Sequence, residues 1–226
     1  MIEYFEGTVF NTNADAIVNT VNTVGVMGAG LALEFALRYP KMCSYYEQKC
    51  KSYQIKTGKV EYFMGENKTI ILFPTKQHFK YPSQIEWIEQ GLINFVETHK
   101  QHSFKSVAFP KLGTLNGGLQ WNQVQQLMEK YLAPLDITIF ICLDSLKKAE
   151  GKEAEMLEIL NNMTVDDISR IVRLNSTQQN VLAQALPLDR FWKLLSLPKI
   201  GITTYTKLFN HCYYNQKTAE QLSFFN

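Results

Sequence analysis

Over its first two-thirds, the chain alternates short β-forming runs with amphipathic helical segments, which limits the folds that it can adopt. The runs 60–64 and 69–73 flank a polar turn and are predicted to pair with each other. The alternation elsewhere predicts an α/β protein, a three-layer α/β/α sandwich with a mixed, largely parallel sheet. Strands are predicted at residues 15–19, 60–64, 69–73, 106–109 and 137–143, and helices at residues 31–39, 40–52, 84–99 and 121–132.

The pattern changes near residue 146, where a second, smaller region is predicted to begin. A charged run without strand character occupies residues 147–155, and the chain after it has the pattern of helices. We therefore predict an α/β domain at residues 1–146 and a small all-α region at residues 147–226. The first part holds 13 basic and 13 acidic side chains and the second holds 10 and 8, so neither part is a polycation.

Charge, cysteines and the N-terminal sequence exclude several classes of protein. A net charge of +2 is too small to indicate nucleic-acid binding by itself. The sequence has neither a basic and apolar leader nor a run of about 18 apolar residues, so we expect no signal peptide and no membrane span. The four scattered cysteines show no zinc-ligand spacing. These features predict a reduced, cytoplasmic protein that binds no metal and no membrane.

A glycine-rich loop between a strand and a helix is the first candidate binding site. Gly25, Gly28 and Gly30 can bring backbone N–H groups close to a phosphate, and the helix after them adds the positive end of its dipole. Asn19 and Asn22 offer amide hydrogen bonds to a sugar or a base. A tight strand-to-helix turn is the alternative, because this glycine spacing alone is a weak motif. The asparagines and the strand–loop–helix context favour a phosphate site.

A second glycine-rich loop, residues 110–120, follows another predicted strand. Gly113, Gly117 and Gly118 indicate a backbone that bends sharply or approaches a ligand closely. Any one of these glycines can also be explained as part of a structural turn. Both glycine loops follow the carboxyl ends of strands, where ligands bind in such sheets, so together they predict a clamp on a diphosphate. Trp121 is either a stacking wall or, more simply, the first core residue of a helix.

Three side chains are candidates for chemistry or recognition. Lys76 follows a buried strand at the same edge, where its amine can attack a sugar carbon or donate a proton to a leaving group. His78 can hold a phosphate or orient Lys76, and the alternative is a polar surface residue. Asp15 can accept a hydrogen bond from an exocyclic amine such as that of adenine, and the alternative is a charge at a strand edge. No pair of carboxylates is spaced for ordinary glycoside hydrolysis.

Four segments together resemble a macrodomain of the DarG-like branch, the branch that includes the terminal ADP-ribose protein glycohydrolase. They are ADAIVNTVN at residues 14–22, GVMGAG at 25–30, FPTKQH at 73–78 and NGGLQW at 116–121, in the order and spacing of the family. The likeness covers about residues 1–145. As a set these motifs are highly specific, and they imply the macrodomain fold.

The resemblance also implies roles for individual residues. Asp15 would bind adenine, and the two glycine loops would hold the diphosphate and the distal ribose. Lys76 and Asn22 would form the catalytic group, with Asn22 contacting the distal ribose. The residues that would bind ADP-ribose are Asp15, Ala16, Asn19, Thr23, Gly25, Val26, Met27, Gly28, Gly30, Thr75, His78, Gly113, Thr114, Leu115, Asn116, Gly117 and Gly118.

Members of this branch remove ADP-ribose from DNA bases that a partner toxin has modified, and the resemblance implies that reaction here. The expected substrate is ADP-ribosylated, single-stranded DNA, and the expected partner is a cognate ADP-ribosyltransferase toxin. ADP-ribose is then a ligand and a product, and no cofactor is expected. Two alternatives stay open: a module that binds ADP-ribose without cleaving it, and an interaction protein whose C-terminal region neutralises a toxin.

The sequence departs from the family pattern in the second glycine loop and in the C-terminal region. Leu115 stands where a glycine is usual, so its side chain would narrow the pocket or change the mobility of the loop. Gly117 stands where the protein-directed relative has a catalytic aspartate, which favours DNA over glutamate esters as the substrate. Residues 197–208 resemble a helix-hairpin-helix element that grips a nucleic-acid phosphate, with Lys199 replacing the first hairpin glycine. A helix that ends at Pro198 is the alternative.

Overall fold

Six strands and four α-helices make up the first 145 residues of the chain. The computed structural model describes residues 1–223, with the side chains described up to residue 214. The strands are β1 (Ile2–Phe5), β2 (Ala16–Asn22), β3 (Glu61–Met64), β4 (Thr69–Lys76), β5 (Ser106–Pro110) and β6 (Thr138–Cys142). The helices are α1 (Gly30–Arg38), α2 (Pro40–Lys51), α3 (Ile85–Thr98) and α4 (Trp121–Leu132).

The strands form one sheet in the order β1-β6-β5-β2-β4-β3. Every neighbouring pair is parallel except β3 and β4, which form an antiparallel hairpin. The predicted mixed, largely parallel sheet is therefore confirmed, whereas β1 was not predicted. This four-residue edge strand pairs only with β6 and includes Glu3, so it lacks the length and the apolar run of a buried strand.

Helices cover both faces of the sheet, which confirms the three layers. Successive strand side chains point to opposite faces, so Val18 of β2 packs in one apolar cluster and Ile17 in the other. Phe95 of α3 and Met128 of α4 belong to the first cluster, and Tyr46 of α2 belongs to the second. All five are fully buried. Burial of side chains of this size stabilises a fold by about 1.5–3 kcal/mol each.

The second compact unit begins at Leu146, and its helices confirm the predicted helical C-terminal region. A buried ion pair joins two of its segments: the guanidinium of Arg190 lies 3.0 Å from the Glu153 carboxylate and also donates to the carbonyl of Leu146 at 2.8 Å. Because both partners are satisfied, the buried charge is tolerated. The unit contains α5 (Lys152–Asn162), α6 (Val165–Val172), α7 (Ser176–Ala185), a 3₁₀ helix (Phe191–Ser196) and α8 (Ile202–Ser223). No described helix of the chain is long and apolar enough to cross a membrane.

Candidate active site

A cavity of about 470 Å³ opens at the carboxyl edge of the parallel strands. That volume is typical of small-molecule sites, which span about 300–1,000 Å³. Four strand ends, the first turn of α1 and the 3₁₀ helix at Val9–Asn11 contribute to its wall. The lining residues are Thr8, Val9, Thr20, Val21, Asn22, Val26, Gly28, Ala29, Gly30, Leu31, Ala32, Thr75, Lys76, Phe79, Pro110, Lys111, Gly113, Thr114, Leu115, Asn116, Gly117, Cys142 and Asp144.

The first turn of α1 is one wall of the cavity. Gly30, Leu31 and Ala32 all line the cavity, and the preceding residue, Ala29, has no side chain that caps the helix. The first N–H groups of a helix have no partner within it, and they carry the positive end of the dipole. This uncapped terminus therefore suits an anionic group such as a diphosphate.

Asn22 fixes the shape of the first glycine loop. Its Oδ1 accepts hydrogen bonds from the backbone N–H groups of Val24 at 3.0 Å and Val26 at 3.3 Å, and from the hydroxyl of Tyr46 at 3.1 Å. Its Nδ2 donates to the carbonyl of Val26 at 2.6 Å. The Asn22 side chain thus shapes the cavity wall through the backbone and is itself a lining residue.

A β-bulge aims Lys76 beside Asn22. Val21 of β2 pairs with Pro74 of β4, but the next residue, Asn22, pairs with Lys76, which leaves Thr75 as the extra residue. A bulge of this kind bends a strand and changes the direction of a side chain. The two residues that the sequence assigns to the catalytic group are therefore direct neighbours across two strands.

The amine of Lys76 is held between two loops. Its Nζ donates to the backbone carbonyl of Asn116 and, at 3.4 Å, to that of Phe79. Burial lowers the pKa of this lysine below its ordinary value, because a partly dehydrated ammonium ion is less stable. A primary amine with a lowered pKa is suited to attack on a carbon or to proton transfer.

The second glycine loop is packed too tightly for a side chain at its centre. The backbone N–H of Ser83 donates to the carbonyl of Gly117 at 2.9 Å, and that of Leu119 donates to Gly113 at 3.0 Å. A β-carbon on Gly117 would lie 2.1 Å from the Gly113 carbonyl oxygen and 2.5 Å from the Ser83 Oγ. Residue 117 must therefore be glycine for the loop to keep this shape.

The two glycine loops meet at the cavity. A β-carbon on Gly30 would lie 2.9 Å from the Nδ2 of Asn116, so the side chain of one loop rests on the backbone of the other. Leu115, at the tip of the second loop, lines the cavity but is 78 % exposed. Its side chain lies at the rim and leaves the interior open, so the departure from the family's glycine does not close the pocket.

The cavity brings together many of the residues predicted from the sequence, and leaves others outside. Asn19 is buried in the sheet with its Nδ2 3.7 Å from the Sδ of Met27, and His78 stacks on Phe79. Predicted residues that line the cavity are Asn22, Val26, Gly28, Gly30, Thr75, Lys76, Gly113, Thr114, Leu115, Asn116 and Gly117. Predicted residues outside the lining are Asp15, Ala16, Asn19, Thr23, Gly25, Met27, His78 and Gly118.

Asp15 lies at the opposite end of β2 from the cavity. Its carboxylate accepts hydrogen bonds from the backbone N–H groups of Lys105 at 2.8 Å and Ser106 at 3.0 Å, and from the Ser106 hydroxyl at 3.0 Å. Ala16 follows it at the start of the strand. The carboxylate therefore fastens β2 to β5, and its expected role in binding adenine does not fit this position.

We expect Asp15→Asn to reduce stability without reducing the affinity for ADP-ribose. The hydrogen bond from Lys105 is the largest cause of a lowered pKa for Asp15. Because this pKa is lowered, the carboxylate stabilises the fold at pH values above 3.8, its ordinary pKa. This stabilisation is lost as the pH falls below that value. The melting temperature of the variant should be lower at pH 7, and the difference should narrow below about pH 4. Calorimetric titration with ADP-ribose checks the binding.

Two segments that line the cavity contain no residue predicted from the sequence. Thr8 and Val9 precede β2, and the Thr8 side chain caps the 3₁₀ helix through a capping box with Asn11. Cys142 and Asp144 lie at and after the carboxyl end of β6. The two glycine loops were selected because they follow the carboxyl ends of strands. The same criterion, applied to β6, would have selected Asp144. Among the described residues, no group of three or more His, Cys, Asp and Glu side chains forms a metal site.

A family model for the Macro domain matches residues 18–128, which include most of β2, all of β3, β4 and β5, and most of α4. The chain belongs to the macrodomain family. It is 40 % identical to the solved macrodomain of Mycobacterium tuberculosis DarG, with a TM-score of 0.61 over 63 % of this chain and 97 % of that one. The predicted resemblance to DarG-like macrodomains is therefore confirmed.

Curated relatives are longer than this chain. The DNA ADP-ribosyl glycohydrolase of Mycobacterium tuberculosis is 39 % identical over 162 residues, which is 68 % of this chain and 46 % of that protein. A DNA ADP-ribosyl transferase-DNA ADP-ribosyl glycohydrolase fusion protein of Thermosipho africanus is 35 % identical over 162 residues, 63 % of this chain and 42 % of that protein. The chain thus spans less than half the length of these curated relatives.

Proposed function

We propose that this protein hydrolyses the bond between ADP-ribose and a base of modified DNA. The observation that carries the proposal is the position of Lys76, whose amine lies at the wall of a nucleotide-sized cavity beside Asn22. The uncapped first turn of α1 lines the same cavity and suits a diphosphate. The names of the curated relatives, DNA ADP-ribosyl glycohydrolases, support the same activity.

We propose that ADP-ribose lies along the sheet edge, from β6 to β4. These strands are three positions apart in the sheet, or about 14 Å, a span that an extended nucleotide-sugar can bridge. The distal ribose lies at Lys76 and Asn22, and the diphosphate at the two glycine loops. The adenosine then lies toward Val9 and Asp144. This placement replaces the expectation that Asp15 binds the adenine.

In the proposed reaction, water adds to the ribose carbon while the bond to the base breaks and the base takes up a proton. Positive charge develops on the sugar, and the fixed diphosphate stabilises it. A mechanism with two carboxylates does not fit, because Asp144 is the one carboxylate among the lining residues and lies on the β6 side of the cavity. Lys76 therefore acts in one of two ways. It donates a proton to the leaving base as water adds, or its amine bonds to the ribose carbon as the base leaves and water then displaces the amine. The proposal requires no cofactor.

Gly117 supports DNA over glutamate esters as the substrate. Its position in the family pattern is that of the catalytic aspartate of the protein-directed relative. Here the Gly113 carbonyl and Ser83 leave no space for a β-carbon at that position. The loop is therefore built without an acidic side chain, and Lys76 is the reactive group that remains beside the distal ribose.

We propose that the substrate is single-stranded DNA modified by a cognate ADP-ribosyltransferase toxin, so that hydrolysis restores the base and the protein acts as an antitoxin. The fusion of a transferase with a glycohydrolase in the Thermosipho africanus relative supports such a pairing. The cytoplasm is the proposed compartment, because DNA is there and the four cysteines are free thiols.

The function is tested by incubating the protein with ADP-ribosylated single-stranded DNA and, in parallel, with ADP-ribosylated protein. We expect release of ADP-ribose from the DNA at a kcat/KM at least about tenfold above that for the protein substrate. Chromatography of the freed nucleotide measures both rates. Binding of ADP-ribose without release from either substrate would instead support a non-catalytic ADP-ribose-binding module.

A shortened chain of residues 1–145 serves as the second arm of this experiment. The shortened chain contains the whole cavity, and it corresponds to the solved macrodomain of the Mycobacterium relative. We expect it to keep the hydrolysis rate on a modified mononucleotide. If the shortened chain loses a toxin-neutralising effect but keeps hydrolysis, the C-terminal unit is the part that acts on the toxin.

For the C-terminal unit, we propose a role in holding DNA through the turn between the 3₁₀ helix and α8. Lys199 has a φ of +64°, the left-handed conformation that the helix-hairpin-helix pattern fills with glycine. Gly201 is exposed, and a β-carbon there would meet nothing within 4 Å, so a phosphate can approach the start of α8. Loss of oligonucleotide affinity in the shortened chain, with hydrolysis of a mononucleotide unchanged, is the expected result.

A further inference from the structure

Exposed apolar side chains concentrate around the mouth of the cavity. Ten large apolar side chains of the first unit are exposed, and five of them lie in the three loops that border the cavity. Isolated exposed apolar residues are normal on a protein surface, whereas a cluster marks a contact surface. The five residues are Val24, Val26, Phe79, Tyr81 and Leu115.

Two aromatic side chains of this cluster, Phe79 and Tyr81, form a ridge with His78 shortly after Lys76. The rings of His78 and Phe79 stack at a centroid distance of 4.4 Å, and the ring of Tyr81 lies 5.4 Å from that of His78. Phe79 is 44 % exposed and Tyr81 is 66 % exposed. Phe79 also lines the cavity, so the ridge, defined as residues 78–81, continues the cavity wall outward.

The ridge and the adjoining loops are positively charged. Residues 23–31, 77–84 and 110–120 contain Lys80 and Lys111 and no aspartate or glutamate. The Lys80 Nζ lies 5.9 Å from the centre of the Phe79 ring. Exposed aromatic rings together with lysines are the combination that binds single-stranded nucleic acid, since rings stack on bases and lysines attract the phosphates.

We propose that the ridge at residues 78–81 binds an unpaired base next to the modified nucleotide in single-stranded DNA. The proposal rests on the proposed function, because it assumes that the modified nucleotide lies at Lys76. The neighbouring base stacks on the exposed ring of Tyr81 or Phe79, while Lys80 attracts the DNA backbone. In a duplex the neighbouring base is already stacked and paired, so the ridge favours single strands.

The test variant is Tyr81→Ala, because Tyr81 does not line the cavity. We expect its kcat/KM on a modified single-stranded oligonucleotide to fall about tenfold, and its kcat/KM on the modified mononucleotide to stay unchanged. Tyr81→Phe should retain the wild-type rate, because it keeps the ring. Tyr53→Ala is the matched control: Tyr53 is 85 % exposed and lies outside the cavity, after α2.

A fluorescence measurement separates failure of this inference from failure of the proposed function. 2-Aminopurine is placed beside an unmodified target base in a single strand, and stacking on the ridge should quench it with the wild-type full chain but not with Tyr81→Ala. The inference is overturned if the wild type and Tyr81→Ala quench equally and show the same ratio of kcat/KM on the oligonucleotide to kcat/KM on the mononucleotide. If no substrate is hydrolysed, the proposed function fails, and the quenching result still decides for or against the ridge. If Tyr81→Ala loses rate only on ADP-ribosylated protein, the ridge binds a peptide and not DNA, and the inference is overturned.

Discussion

Replacement of Lys76 by alanine is expected to reduce release of ADP-ribose from modified DNA by about 10²–10⁴-fold, the usual contribution of a group that transfers protons. Affinity for ADP-ribose should stay within a few-fold of that of the wild type. The first turn of α1 and the two glycine loops supply the binding groups, and the variant leaves them in place. Single-turnover hydrolysis and calorimetric titration measure the two quantities separately.

The pH dependence distinguishes the two roles of Lys76. Burial lowers its pKa, so its charge changes at a lower pH than that of an exposed lysine. If the neutral amine attacks the sugar, kcat rises with pH as the ammonium ion loses its proton. If the ammonium ion donates a proton to the leaving base, kcat falls over the same interval. Lys76→Arg is the control, because arginine keeps the charge and cannot lose a proton. A normal rate in Lys76→Ala would remove this residue from the mechanism.

The fold was predictable from the sequence because local and global signals agree over most of the first unit. The apolar runs that became β2, β4, β5 and β6 alternate with helical periodicity, and parallel pairing follows from that alternation. β1 was missed because half of its side chains face solvent and its partner, β6, lies more than 130 residues away in the sequence. Such pairing depends on tertiary contacts that no local pattern contains.

The candidate site was predictable where a strand end and a glycine loop coincide. Gly30 and Gly113 were found in this way, Lys76 was found from a strand end alone, and all three line the cavity. Asp15 was expected at the ligand site, but the end of a strand at which a residue lies decides which edge of the sheet it reaches. Asp15 precedes β2, at the amino edge, and its carboxylate accepts hydrogen bonds from Ser106 of β5.

The geometry that joins Lys76 to Asn22 was not predictable at all. It depends on a register shift of one residue at Thr75, and a shift of this kind leaves no periodic signal in a sequence. The ridge at residues 78–81 was likewise missed as a unit, since exposure and ring distances exist only after folding.

Replacement of Gly117 by alanine is expected to abolish measurable binding of ADP-ribose and, with it, hydrolysis. The added β-carbon would lie 2.1 Å from the Gly113 carbonyl oxygen, a distance that real β-carbons do not show. The loop must move to relieve it, and the hydrogen bond from Ser83 to the Gly117 carbonyl is then lost. Because Asn116 holds the Lys76 amine and contacts Gly30, a displaced loop disturbs both the amine and the first turn of α1, where the diphosphate is proposed to bind.

Gly118→Ala is the matched control for this prediction. A β-carbon on Gly118 meets nothing within 4 Å, and its φ of +78° is the only source of strain, which costs about 1–2 kcal/mol. Gly117→Ala has a stability cost of similar size, about 1–3 kcal/mol for overpacking. Both variants should therefore unfold at lower denaturant concentrations than the wild type, but only Gly117→Ala should lose ADP-ribose binding in calorimetry. Because both variants lose stability, only a difference in their affinity for ADP-ribose distinguishes residue 117 from residue 118. Equal affinities would show that the centre of this loop does not shape the binding site.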